Sequence, residues 1–196
     1  VILEAILSSL NEDETPNFAP IGVRTEEGGV YPLTEFEIHL YPGSHTYENL
    51  KRTGEGVVNF SDDLMAFVDS ALYSKPLALV PSEKLLTPRM AQVQAFWEFT
   101  VRDFDDTREP ARLRGQIIHA QHRGNFSGFC RAHGAILEAL IAATRLQWLT
   151  PEELREKWPL WQEIVIKTGG SKERTALAKI KSYLQERKFM VAEQLE

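Results

Sequence analysis

The sequence predicts an α+β fold: an antiparallel β-barrel or sandwich followed by a small helical appendage. Three observations carry this expectation. Apolar residues alternate along several segments up to Arg123, the character turns helical at Asn125, and Thr150-Pro-Glu-Glu153 has the pattern of a capped helix start.

The elements follow in order. Val1–Leu10 is rich in Ile, Leu and Val, and Asn11–Glu14 is a turn, so Thr15–Val23 reads as the second arm of a hairpin. Pro16 and Pro20 lack an N–H donor, which points to an edge or bulged strand. Glu26–Gly29 is the next turn signal, and Val30–Tyr41 alternates around Phe36, Ile38 and Leu40. One short helix then begins near Ser44, followed by a short strand at Val57–Phe60. Asp62–Ser74 has helical spacing at Leu64, Phe67, Val68 and Ala71 behind an acidic start. Lys75–Met90 contains Pro76, Pro81 and Pro88 and reads as a meandering loop. Ala91–Phe104 alternates, Asp103–Pro110 is an acidic turn, and Ala111–Arg123 is a further strand.

Beyond Asn125, Phe129–Trp148 reads as an Ala-rich helix. A second helix opens at Thr150 with Pro151 in its first turn. Pro159 is expected to kink or split it, and Lys167–Gly170 to end it. Ser171–Met190 is the last helix, with Ser171 as its cap. The expected division is a barrel over 1–124 and a helical region over 125–196.

Composition limits the function. The 196 residues are 43% hydrophobic and 26% charged, enough for a real core. A net charge of −6 argues against nucleic acid or an anionic membrane as partner. No apolar run is long enough to span a membrane, and no signal peptide is visible. Cys130 is the lone cysteine, which fits a reducing, cytoplasmic setting.

The most informative stretch is Tyr41–Phe60. Ser44, Thr46 and Asn49 cluster at the start of its helix, with Lys51 and Arg52 close behind. A helix N-terminus offers unpaired N–H groups and the positive end of a dipole, so hydroxyl and amide side chains there suit a phosphate. A simple cap at Ser44 with Asn49 facing water explains the same spacing equally well. On the Ala-rich helix, Arg131, Glu138 and Arg145 recur every seven residues. The usual reading is a solvent face; a partly buried network or an interface is the alternative. His119 and His122 point to opposite faces of a strand. Cys130 and His133 are near enough to share a ligand, but no second pair has metal spacing, so no metal site is expected. His133 is a structural residue or a proton-transfer candidate. Nucleotide-loop, nucleophile-elbow and carboxylate-dyad patterns are missing from the sequence, and no catalytic residue is assigned.

Several segments carry a family resemblance. Pro16-Asn-Phe-Ala-Pro-Ile-Gly-Val23 resembles the Asn-x-Ala-Pro strand of the FMN-binding split-barrel flavoproteins, the flavin reductase and pyridoxamine-phosphate-oxidase-like group. His45-Thr-Tyr-Glu-Asn-Leu50 is similar to that group's Asp-Thr-x-x-Asn-Ile phosphate motif, and Val57-Val58-Asn59 to the strand after it. Gly128-Phe-Cys-Arg-Ala-His133 and Lys167-Thr-Gly-Gly170 resemble two hallmarks of a little-characterised, largely archaeal family within that superfamily. Two positions depart from the pattern. His45 stands where relatives often carry Asp or Arg, and Cys130 where the helical motif has Asn.

The resemblance implies a six-stranded antiparallel split β-barrel of Greek-key type, with a C-terminal helical region. It implies a homodimer holding FMN near the subunit interface. Thr46 and Asn49 would contact the phosphate or ribityl chain, assisted by Ser44. Asn17, Ala19 and Pro20 would border the isoalloxazine, and Asn59 matches a strand position of the family. The implied function is a flavin-dependent oxidoreductase acting on a small-molecule substrate or electron donor. A non-catalytic flavin or phosphate-ligand binder, and an interaction module with a vestigial site, are the alternatives.

Overall fold

The computed structural model describes residues 2–25, 33–123 and 130–189. The expected turn at Glu26–Gly29, the Asn125 boundary, Gly128-Phe129 of the helical motif and Met190 lie outside them.

Strand β1 (Ile2–Leu10) and strand β2 (Pro16–Arg24) form a hairpin in full antiparallel register, Ile2 opposite Arg24 and Leu10 opposite Pro16. Strand β3 (Glu35–Leu40) meets β2 only at Val23 and Arg24. From Pro16 to Gly22, β2 therefore has a ladder partner on one side alone, where residues without an N–H are tolerated. Strand β4 (Glu55–Phe60) pairs with β1 and with strand β7 (Ala95–Asp105). Strand β8 (Ala111–His122) pairs with β7 and β3. The order β1-β2-β3-β8-β7-β4 closes on itself, so the β region is a six-stranded antiparallel barrel and not a sandwich. Closure removes most of the exposed edge that an open sheet presents.

Alternation sorts each strand into two faces. Leu7, Val23, Ile38, Val58, Trp97, Phe99 and Leu113 fill the interior. A Cβ at Gly115 would lie 2.4 Å from the Phe36 ring, so glycine is what lets that ring lie flat on β8.

The segment expected to meander between Lys75 and Met90 is anchored. It contains a small ribbon of β5 (Leu79–Val80) and β6 (Arg89–Met90). The fully buried Glu98 accepts N–H bonds from Glu83 and Lys84, both at 2.7 Å, and Glu55 accepts from the Thr87 N–H and hydroxyl. Side chains on neighbouring strands thus supply the bonds that a proline-rich sequence does not advertise.

The described chain divides into two compact units: residues 2–62 with 75–123, and 63–74 with 130–189. The second contains helix α2 (Leu64–Leu72), capped by Asp63, with α3 (Arg131–Ala143), α4 (Pro151–Thr168) and α5 (Ser171–Glu186). Ile136, Leu140, Leu154, Trp158, Ile180 and Leu184 form its apolar interior. Lys179 donates to Asp69 at 2.8 Å and the Tyr73 hydroxyl donates to the Lys179 carbonyl at 3.0 Å, tying α5 to α2. Among the described residues no helix is long and apolar enough to cross a membrane.

Three helix expectations need correction. The Ala-rich helix ends at Ala143, and Leu146–Trp148 is a separate 3-10 turn. The Thr144 hydroxyl donates to the Ile141 carbonyl and satisfies the final turn. Of the two outcomes expected at Pro159, the split does not occur: α4 runs through it as one element. Pro159 itself is exposed. Finally, the last helix is capped by Gly170 and not by Ser171, and ends at Glu186. Glu173 reaches back to accept the Gly170 N–H at 2.8 Å.

Candidate flavin-phosphate site

Helix α1 (His45–Thr53) begins from a tight turn. Gly43 takes φ +82°, and Ser44 donates through both its N–H and its hydroxyl to the Tyr41 carbonyl. The Ser44 hydroxyl oxygen also accepts the Tyr47 N–H at 3.2 Å, the bond of an N-cap. Gly54 ends the helix in the left-handed conformation, φ +68°. Ser44 is thus a true cap, but Asn49 does not face water: it is 5% exposed, as is Thr46. Both turn inward because α1 packs its Thr46, Tyr47, Asn49 and Leu50 face against β1 and β2.

A small polar network gathers there. The Asn17 amide on β2 donates to Thr46 Oγ1 at 3.1 Å and to Ser9 Oγ at 3.3 Å. The Asn49 amide donates to the same Ser9 oxygen at 3.1 Å and to Asn11 Oδ1 at 2.8 Å. Ser9 is fully buried on β1, directly opposite Asn17 in the hairpin. Sequence reasoning missed Ser9 and Asn11. The pair Ser8-Ser9 sits in an apolar strand with no local motif, and the hairpin register alone brings Ser9 under Asn17.

The donor and acceptor inventory decides what this network can do. Both amides spend their N–H groups inside it. Their carbonyl oxygens meet no donor among the described residues. Thr46 is an acceptor for Asn17, which leaves its own hydroxyl proton to point elsewhere. The N–H groups of His45 and Thr46 at the helix start also meet no acceptor among the described residues. The cluster therefore offers donors at the positive end of a helix and acceptors beside them, with no ionisable side chain among Ser9, Asn11, Asn17, Thr46 and Asn49.

The basic residues of α1 lie at its other end. Lys51 pairs with Asp106 at 2.8 Å, which raises the Lys51 ammonium and lowers the Asp106 carboxyl from their ordinary values. Arg52 donates to the Leu10 carbonyl. Their charge complements the helix C-terminus and not the cluster.

The remaining expected residues fall as follows. Ala19 and Pro20 are half-buried on β2, opposite Leu7 and Ile6. Asn59 is fully buried on the outer face of the barrel with Ser8, away from the Thr46 cluster. Its Nδ2 donates to the Ile6 carbonyl at 3.0 Å and its Oδ1 accepts the Met90 N–H at 2.9 Å. In the second unit, Arg131, Glu138 and Arg145 are all exposed, and Arg145 lies beyond the end of α3, so the three do not form a buried network. His133 Nε2 pairs with Glu173 Oε1 at 3.3 Å, and Cys130 Sγ donates to the Thr168 carbonyl at 3.6 Å. The two helical motifs therefore meet at the starts of α3 and α5. Among the described residues no three His, Cys, Asp or Glu side chains are grouped to hold a metal.

Family models of a protein of unknown function, DUF447, match this chain at residues 3–123 for the N-terminal domain and 130–182 for the C-terminal part. The chain belongs to the DUF447 family. A crystal structure of an FMN-bound DUF447 protein from Methanosarcina mazei is similar over 93% of this chain and 95% of its own, at 25% identity and TM-score 0.79. The styrene monooxygenase flavin reductase of Pseudomonas putida is similar over 61% of this chain and 80% of its own, at 17% identity and TM-score 0.50. Flavoredoxin of Methanosarcina acetivorans is similar over 62% and 69%, at 17% identity and TM-score 0.51. The last two likenesses extend the shared fold beyond the DUF447 family to split-barrel proteins.

Proposed function

We propose that this DUF447 chain binds FMN at the N-terminus of α1 and serves as a flavin-dependent oxidoreductase for a small molecule. The observation that carries the reading is the convergence of Asn17 and Asn49 on Ser9, with Asn17 also bonded to Thr46, in a fold that an FMN-bound member of the same family shares. The residues fit the group. Thr46 O–H and the N–H groups of His45 and Thr46 are donors for a phosphate, with Ser44 beside them at the cap. The Asn17 and Asn49 carbonyl oxygens are acceptors for ribityl hydroxyls. Ala19 and Pro20 border the ring on the open side of β2, and Asn59 enters only as a strut behind the barrel wall.

FMN, when bound, supplies the electron-transfer chemistry. The chain's own residues bind and orient it. With neutral side chains in the cluster, the phosphate's charge is met by the helix dipole and hydrogen bonds, not by an ion pair. The reading includes a homodimer, which light scattering on the purified chain tests. The lone Cys130 supports a cytoplasmic, reducing setting.

Titration of the full chain with FMN, followed by flavin absorbance and fluorescence, tests the binding. Saturable binding is expected, with Thr46→Ala weakening it about tenfold, as for a hydrogen bond to a charged group, and Asn49→Ala about fivefold, as for one to a neutral hydroxyl. A chain that stays colourless at high FMN, or variants that bind as well as wild type, would overturn the site. Bleaching of bound flavin by a nicotinamide donor tests the oxidoreductase half. Flavin that binds but is reduced by no donor leaves a binding protein.

A further inference from the structure

The outer face of the barrel holds a second cluster that the flavin reading does not use. Phe96 on β7 is fully buried, and three basic side chains surround its ring. The Arg89 guanidinium carbon lies 4.6 Å from the ring centroid, that of Arg123 lies 5.3 Å away, and the His119 ring centroid is 5.7 Å away. Arg89 is only 5% exposed, and Arg123 is exposed, so one forms the floor and the other the rim.

Among the described residues none of the three has a carboxylate in ion-pair range. Arg89 Nη1 donates to the Met90 carbonyl at 3.3 Å, but its Nε is buried with no partner. His119 Nε2 is likewise buried without a partner. Arg123 Nε donates to the neutral Gln121 amide at 2.9 Å. The carboxylate best placed to compensate, Glu98, is opposite His119 in the ladder, yet both its oxygens hold backbone N–H groups of the 83–84 turn. Burial first and the neighbouring Arg123 next push the Arg89 guanidinium down from its ordinary value, while the charges of Glu83 and Glu98 pull it the other way. A buried arginine with no carboxylate bonded to it is costly unless something supplies a partner. A face of Phe96 offsets part of that cost, and the Nε–H remains unmatched. The register shift between Glu98 and Phe99, just before His119 in the facing strand, is the kind of irregularity that re-aims a side chain.

We propose that Arg89, Arg123 and His119 form an anion site on the outer face of the barrel, for the carboxylate or phosphate of a small molecule. Planar guanidinium groups match both oxyanions by paired N–H···O bonds. In a chain of net charge −6, two arginines over one ring are a local concentration of positive charge. The site is built on β6, β7 and the end of β8, away from Ser9 on β1, and it does not depend on flavin.

The test uses the full chain labelled with nitrogen-15 in its arginine side chains. Sodium phosphate and sodium acetate are titrated against sodium chloride at matched ionic strength. The Nε–H signals of Arg89 and Arg123 are expected to shift saturably with phosphate, acetate or both, and not with chloride. The tighter curve identifies which oxyanion the site takes. Arg123→Met should weaken the tighter one about tenfold, while Arg112→Met, on the same strand, should leave it unchanged. Arg89→Met should abolish it; if that variant fails to fold, Arg123→Met decides. Shifts that do not saturate, that chloride reproduces, or that survive Arg123→Met overturn the proposal.

Discussion

Ser8 and Ser9 are adjacent on β1, both fully buried, and each takes a hydrogen bond from an asparagine. Ser8 and Asn59, on the outer face, form a closed set. The Ser8 hydroxyl donates to the Pro88 carbonyl at 2.7 Å, and Asn59 exchanges bonds with Ile6 and Met90. Ser9, Asn17 and Asn49, on the inner face, form an open one. Every amide N–H is used there, while the amide oxygens and the Thr46 proton are left over. The same residue types thus do opposite work. A saturated network contributes to stability, and an unsaturated one holds groups ready for something not yet bound.

The largest expected effect breaks the closed set. Asn59→Ala strands the Met90 N–H and leaves Ser8 without its donor, so urea unfolding should show a loss of about 2–3 kcal/mol. Flavin affinity of the folded fraction should stay within about twofold. A variant that keeps its stability and loses flavin would reverse the contrast.

Ser9→Ala is the next test, on the open side. It removes the oxygen that orients both Asn17 and Asn49. FMN affinity is expected to fall about fivefold with a stability loss near 1 kcal/mol. Riboflavin, which lacks the phosphate, should lose less than FMN, because Thr46 is held through Asn17. Equal losses for the two flavins would mean that Ser9 acts through the ribityl contacts of Asn17 and Asn49 and not through Thr46; no loss for either would mean that Ser9 only packs.

The smallest effect concerns a closed set in the second unit. Glu173 accepts the Gly170 N–H and pairs with His133, and the backbone bonds foremost hold its carboxyl below the usual carboxylate range. A depressed folded-state value means stability that is present above the unfolded-state value, about 4.3, and lost as pH falls through the lower folded one. Glu173→Gln should cost about 0.5–1 kcal/mol at pH 7. Its unfolding midpoint should then decline less steeply than wild type below about pH 4.5. Parallel acid profiles would show that the cap contributes nothing.

Much of this was legible in residue order. Period-two alternation located the long barrel strands, and Ser44 marked the start of α1, because those signals are local. Local reasoning failed where distant residues decide. The Lys75–Met90 segment looked unstructured because its anchors, Glu98, Glu55 and Asn59, lie on other strands. Ser9 gave no sign of its part, since only the hairpin register sets it opposite Asn17. Spacing also extended a stripe to Arg145, although the helix ends two residues earlier. The seven-residue rhythm of Arg131 and Glu138 carried no information about where the carbonyls would be satisfied.

The membership of α2 in the second unit bears on the order in which the molecule assembles. The helix is made early, before β7 and β8, yet its partner Lys179 lies 110 residues after Asp69. On the ribosome α2 must wait, apolar side uncovered, while the barrel strands that follow it emerge. A nascent chain halted before α5 would carry that unmet surface, and the exposure of α2 to chaperones should end only when α5 leaves the exit tunnel.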